Sequence, residues 1–338
     1  MFRAGQNLMN GMETMRALTS GVTSALVAGG LMLLAQGAAA ETRLTLKAAA
    51  SGSAYYVMTV QLAETIRTGT KGAVQPTVEE SQGSVQNVKE SARRPGAYLF
   101  TSPPGLIAAA RAGRKPFEGE TGYDGIRGLF TLPAITMHWV VRSDAGIQSL
   151  SDLAGKRFVA GGRGTFTQRQ SDAVFRLLGI ADKVNLVDVE LNAAVNAMRN
   201  RQIDGFATGG SYPAPNLQEL AVATPIRLLG LEEAQIAQIQ KQDASAAAVT
   251  IPAGIYKGVD TPTRTIALPV GAYGTLKMDE DTAYGVVKAF WGRKAEMAKQ
   301  NPWWDGVSPD QIALLGVAIH PGAARYYREA GIALPAAQ

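Results

Sequence analysis

The sequence predicts an α/β protein built as two α/β lobes, and three observations carry that expectation. Short apolar and β-branched runs alternate with helical patterns of about 10–15 residues, the order that builds βαβ units on mostly parallel sheets. Gly146–Ile180 displays one unit in full: a turn, a strand at Arg157–Ala160, a loop with Gly161, Gly162 and Gly164, then an amphipathic helix. Beyond its first 40 residues the chain still has about 300 residues, more than one small core usually covers.

Taken in order, Thr42–Ala50 reads as the first strand, ending in Ser51-Gly52-Ser53-Ala54-Tyr55-Tyr56, and Val60, Ala63, Glu64 and Arg67 lie at helical offsets after it. Val74–Val78 is a second strand that ends in Glu79-Glu80-Ser81-Gln82-Gly83-Ser84, with Asn87 and Val88 in the next helix. Ala97–Phe100 is a third strand. Ile126–Phe130 and His138–Arg142 read as separate strands either side of a break at Pro133. Strands at Arg157–Ala160, Val184–Val189, Ile203–Ala207 and Ile226–Leu229 follow, and Leu191–Arg199 is a helix with an apolar stripe at Leu191, Val195 and Met198. Thr167 with Gln170 fits a capping box for the helix after the glycine loop, and Gly179 fits its C′ position. The prolines Pro133 and Pro269 flank a self-contained run of βα units. Lobe 1 is therefore expected to be residues 41–133 plus 268–338, and lobe 2 residues 134–267.

The first 40 residues place Arg3 and Arg16 ahead of an apolar run densest at Ala25–Leu34, ending in Ala38-Ala39-Ala40. That is the pattern of a secretory signal peptide cleaved near Ala40. Gly29, Gly30 and Gln36 leave the run short of the roughly 20 residues of a spanning helix. The expected location is the periplasm. The chain has no cysteine, hence no disulfide framework, no lipidated cysteine and no thiolate metal site.

The net charge of +5 is scattered, without a lysine-arginine block or an aromatic-interleaved basic stripe, so no nucleic-acid partner is expected. A mild positive bias suits an anionic small ligand. His138 and His320 are the only histidines. His138 lies in an apolar strand and reads as a core residue, and His320, before Pro321, as a loop residue. There is no Gly-x-Ser-x-Gly elbow, no Walker loop, no H-E-x-x-H and no EF-hand spacing. Glu79-Glu80 and Glu232-Glu233 are sequence neighbours whose side chains point apart, as on solvated faces. No catalytic residue, metal or cofactor is expected.

Three loops share small hydroxylated residues and glycine where a strand ends and a helix begins: Ser51-Gly52-Ser53, Ser81-Gln82-Gly83-Ser84 and Gly162-Arg163-Gly164-Thr165. A fourth candidate is Thr208-Gly209-Gly210-Ser211-Tyr212-Pro213. In open α/β sheets ligands sit at the carboxyl ends of strands, and helix N-termini there favour anions. Expected ligand residues are Ser51, Gly52, Ser53, Tyr56, Ser81, Gly83, Ser84 and Asn87 on one side. On the other they are Gly162, Arg163, Gly164, Thr165, Thr167, Gln168, Gly210 and Tyr212. The planar fork of Arg163, flanked by glycines, is the candidate anion clamp, with Arg142 and Arg169 in reserve.

Five segments in order resemble the TAXI solute receptors, the substrate-binding subunits of a class of TRAP transporters. They are Gly52–Tyr56, Gly83-Ser84-Val85-Gln86-Asn87-Val88, Ile147–Arg157, Arg201-Gln202-Ile203-Asp204-Gly205-Phe206 and Ile251-Pro252-Ala253-Gly254-Ile255-Tyr256. The resemblance covers about Thr42 to Gly292. It implies a type II periplasmic binding protein fold, with two crossovers and a ligand cleft between the lobes. It also implies no catalysis: the receptor captures a solute, usually a carboxylate, and delivers it to an ion-gradient-driven TRAP permease. Two departures concern the ligand: Arg163 stands where the family has a longer glycine-serine loop, and the first loop lacks the usual threonine-glycine pair. An exported enzyme on the same scaffold, or a sensory subunit presenting its closed form to a membrane kinase, remain the alternatives.

Overall fold

The computed structural model describes residues 41–335. The expected signal peptide lies outside the described residues. Ten strands form one mixed sheet in the order β2-β1-β3-β10-β4-β7-β5-β6, with β8 also on β4 and β9 also on β10. The two ends of that order are parallel and follow the βαβ reading. β1 (Thr42–Lys47) pairs with β2 (Val74–Glu79) and β3 (Ala97–Ser102), and β5 (Arg157–Val159) pairs with β6 (Asn185–Leu186) and β7 (Gly205–Gly210). The centre is antiparallel, which the expectation of mostly parallel sheets did not include. There β4 (Ile126–Arg142) and β10 (Thr263–Thr275) run against each other and serve both ends. The first part of β10 holds β9 (Ala247–Ile251), and its later part holds β3. The later part of β4 holds β7 on one side and β8 (Ile226–Leu229) on the other.

β4 corrects the expected break at Pro133: it is one strand of 17 residues. The register between β4 and β10 shifts between the pairs Leu268↔Ile135 and Val270↔Leu132, and Pro133 and Pro269 sit in that irregularity. Neither has an N–H to offer, so a proline is tolerated where the ladder is already interrupted. Two boundaries also move. β6 is only two residues long rather than Val184–Val189, and β7 begins at Gly205 and runs to Gly210, so Thr208-Gly209-Gly210 is strand rather than loop.

Helices follow the parallel strands. α1 (Ala54–Gly69) buries Tyr55, Met58, Leu62 and Ile66, at spacings of three and four, and its end lies against α8 (Glu280–Gln300). Gly69 is needed there, because a Cβ would sit 2.5 Å from that of Ala289. α2 (Ser84–Ser91) follows β2, and α3 (Pro104–Arg111) follows β3. α4 (Phe166–Leu177) follows β5, and Gly179, at φ +67°, closes it as the sequence suggests. α5 (Leu191–Arg199) matches its expected span. α6 (Pro215–Ala223) and α7 (Glu233–Gln242) flank β8, and α9 (Pro321–Glu329) ends the described chain. Successive β4 residues serve opposite faces: Trp139 packs into the larger core cluster and Val140 into the smaller one around Phe206, Leu217 and Met198. Among the described residues no helix is long and apolar enough to cross a membrane.

Candidate functional site

Four helix N-termini meet at one cavity of about 60 Å³ between the β1-β2 end and the β5-β7 end of the sheet. Ala49, Ala50, Ser53 and Tyr55 line it from the start of α1, and Gln82, Gly83 and Ser84 from the start of α2. Opposite are Gly161, Thr165, Phe166 and Thr167 at the start of α4, Glu190 and Leu191 at the start of α5, and Gly209 of β7. Ser53 caps α1 by accepting the Tyr56 N–H at 3.2 Å, and Thr165 caps α4 by accepting the Gln168 N–H at 3.0 Å. The N–H groups of Tyr55, Ser84, Phe166 and Thr167 find no acceptor among the described residues. Each belongs to the positive end of a helix dipole. No lysine, arginine or histidine lines this cavity, and Glu190 is its one charged side chain, among the described residues. The arrangement can hold a small anionic group by backbone donors alone.

The residues expected at the site divide into three groups. Ser53, Gly83, Ser84, Thr165 and Thr167 line the cavity. Ser84 and Thr167 have hydroxyls engaged in no hydrogen bond among the described residues. Gly162, Arg163, Gly164 and Gln168 lie in the adjoining surface grooves, and Ser51 and Gly52 are exposed, off the cavity wall. Gly164 donates its N–H to Gln168 Oε1 at 2.7 Å. Ser81, Asn87, Gly210, Tyr56 and Tyr212 are not on the cavity wall. Ser81 donates to the Ala48 carbonyl and accepts the Gly83 N–H, both at 3.0 Å, which shapes the turn into α2. Asn87 is fully buried and donates from Nδ2 to the Ala48 and Thr101 carbonyls at 2.9 and 3.2 Å, tying α2 to the ends of β1 and β3. Gly210 faces Ala54, with room for a Cβ only at 3.4 Å. Tyr56 and Tyr212 are half-buried, and the tyrosine on the wall is Tyr55, whose hydroxyl donates to the Pro133 carbonyl. Only α1's period could have told Tyr55 from Tyr56.

The chain matches the NMT1-like family over residues 46–331. It belongs to the NMT1-like family. Its fold is that of the periplasmic binding proteins, two α/β lobes joined by crossing strands. A solved periplasmic transporter superposes with a TM-score of 0.57 at 12% identity, covering 86% of this chain and 97% of the other. MatC from Rhodopseudomonas palustris, solved with bound malate, gives 0.55 at 13% identity over 86% and 97% of the two chains. The periplasmic binding protein BugD gives 0.54 at 14%, over 86% and 98%.

In this NMT1-like chain the arginines are already engaged. Arg163 is 77% exposed and pairs with Asp188 outside the cavity. Arg142 is buried against Asp144 at 3.0 Å, the Ile203 carbonyl at 2.5 Å and Asp204 at 3.4 Å. Arg169 reaches the Lys115 carbonyl at 3.1 Å. The larger groove beside the cavity, about 750 Å³, shares Gln82 with it but carries cations that are mostly paired: Lys89 with Glu120, Arg94 with Glu79 and Glu90, Arg163 with Asp188. Glu79 is not a solvated-face residue. Arg94 beside it, then Lys47, hold its carboxyl below the usual range, and Lys47 is itself buried between Glu79 at 3.3 Å and Glu90 at 3.2 Å. The ion network fixes the back of α2 so that its N-terminus keeps its aim.

Both histidines are structural. The His138 ring lies between the Thr136 carbonyl at 3.0 Å and Tyr256 Oη at 3.0 Å, and Tyr256 accepts the Ala214 N–H at 2.8 Å. Nδ1 must then carry the proton and Nε2 accept from Tyr256; burial pushes the ring's pKa down to about 4. His320 is a loop residue as expected, but it is buried and caps α9, accepting the Gly322 N–H at 3.3 Å.

Proposed function

We propose that this chain is an exported solute receptor that encloses a carboxylate-bearing small molecule between its lobes and delivers it to a TRAP-type permease, as a TAXI receptor does. The observation that carries the reading is the convergence of the α1, α2, α4 and α5 N-termini on one cavity lined by no cationic side chain. A carboxylate there gains several charge-assisted hydrogen bonds, each worth about 1.5–3 kcal/mol. The free Ser84 and Thr167 hydroxyls add donors from opposite sides of the cleft. The cavity holds a carboxylate head, and the rest of the solute extends toward the groove past Gln82. Glu190 favours a solute that presents a hydrogen-bond donor at the α5 side. Closure is a hinge about β4 and β10 at Pro133 and Pro269, with lobe 1 as residues 41–133 plus 268–338. MatC, solved with malate, is in keeping with a carboxylate ligand.

The test is a melting-temperature screen of short mono- and dicarboxylic acids, hydroxy acids, 2-oxo acids and amino acids. A ligand of the folded state raises the midpoint with concentration, by about 2.7 kcal/mol of stability at a hundred times Kd. At least one acid is expected to do so, and Ser84→Ala with Thr167→Val is expected to weaken it about tenfold or more. A flat screen, or an unchanged affinity in that double variant, removes the cavity as the carboxylate site.

A further inference from the structure

Three hydrogen bonds cross the cleft at two places on its rim without entering the cavity. At the first place Asn192, in the first turn of α5, donates from Nδ2 to Ser51 Oγ at 3.2 Å and to Glu80 Oε1 at 3.4 Å. Ser51 and Glu80 follow β1 and β2, at the other end of the sheet from α5. Glu80 is held in place from its own side, since Oε1 also accepts the Ser51 N–H at 2.6 Å, and that bond keeps its carboxyl below the usual range. At the second place the guanidinium of Arg169, in α4, reaches the carbonyl of Lys115, in the loop between α3 and β4.

We propose that Asn192, Ser51 and Glu80 form a latch that holds the two lobes closed in the ligand-free protein, with Arg169 on Lys115 as the second fastening. Asn192, Ser51, Glu80 and Lys115 are exposed, so water competes for these bonds and each biases closure without locking it. The donor at the first place is a neutral amide rather than a cation. A solute can therefore still enter, because the contact forms and breaks without separating two charges. The latch also sets affinity: the affinity of a solute that requires the closed form scales with the fraction of protein that is closed. It lies outside the residues that would touch a carboxylate, so it acts on any solute alike.

The full chain has no cysteine, so Thr77→Cys on β2 and Leu186→Cys on β6, both exposed, take two spin labels without further change. Their distance distribution is measured by pulsed electron resonance with no acid added, so the result stands apart from the melting screen that tests the receptor reading. Asn192→Asp sets two carboxylates against each other, and the distribution is expected to move to longer distances. The ratio of closed to open protein should fall about three- to tenfold. Adding Glu80→Gln to that variant exchanges donor and acceptor, and the shorter distances are expected to return. Arg169→Gln is expected to lengthen them independently. Circular dichroism establishes that each variant is folded, and Asn192→Ala replaces Asn192→Asp if it is not. An Asn192 variant whose distribution superimposes on that of the unmutated chain overturns the latch. So does a double variant, Asn192→Asp with Glu80→Gln, that fails to restore the shorter distances.

Discussion

Arg163 has the chemistry of an anion clamp and the wrong surroundings for one. Its fork is occupied by Asp188 and lies in solvent, while the cavity it was expected to serve is lined by helix N-termini. Such an exposed pair contributes little. Arg163→Lys is therefore expected to leave the affinity for any acid found in the melting screen within about twofold, by titration calorimetry; a tenfold loss would return the fork to the site. His138 carries the opposite lesson, a titratable group with no ligand and a large effect on stability. Folding lowers its pKa from about 6.5 to about 4, so between those values the unfolded chain binds the proton and the folded protein does not. The stability His138 contributes is present in full above about pH 6.5 and is lost as pH falls toward 4, on the order of 3 kcal/mol. Urea titrations at pH 7, 6, 5 and 4 are expected to show this decline, and His138→Gln to flatten it. An equally steep decline in the variant would assign it to other groups. His320, lowered mainly by burial, acts in the same direction.

The start of α4 shows what spacing can and cannot decide. Thr165 and Thr167 each stand three residues before a glutamine, so either could open a capping box. Positive φ at Gly161, Gly162 and Gly164 turns the chain early enough for Thr165 to become the cap, and Thr167 is then buried against Gly161, where a Cβ would lie 2.5 Å from its Cγ2. Thr165 accepts the Gln168 N–H and donates to the Gly161 carbonyl at 2.9 Å, so one side chain joins the helix to the loop. Thr165→Ala is expected to cost about 1–2 kcal/mol in urea unfolding and to weaken acid binding with it. A change under about 0.3 kcal/mol would show that the glycines alone set the turn. The βα units and the polar loops are legible because period and turn chemistry are local. The continuity of β4 through Pro133 is not, since it depends on where β10 drops its register some 130 residues later. Asn87 escapes a sequence reading for the same reason: its partners at Ala48 and Thr101 are backbone carbonyls of two other segments, and no motif announces them. Nor can Lys47 be matched with Glu79 and Glu90 before β1, β2 and α2 are brought together.

At the scale of the whole molecule, two lobes would ordinarily suggest two unfolding steps. The core argues otherwise. The larger apolar cluster runs without interruption from Leu46 of β1 and Tyr98 of β3, through Phe130 and Trp139 of β4, to Phe158 of β5 and Phe175 of α4. It therefore passes under the cleft along the crossing strands. The smaller cluster, around Phe206, Leu217 and Met198, packs against the opposite face of β4 and includes its Val140. Neither lobe can unfold without stripping β4 or β10 from the other, and those two strands carry much of the buried apolar surface of both. The proposed closure would flex the strands only at Pro133 and Pro269, whereas unfolding must break them along their length. A single calorimetric transition is expected, with the calorimetric enthalpy equal to the van't Hoff value and near 200 kcal/mol, from about 0.7 kcal/mol per residue near 60 °C. Two resolved peaks, or a calorimetric enthalpy about twice the van't Hoff value, would mean that the lobes melt independently and that the shared strands do not couple them.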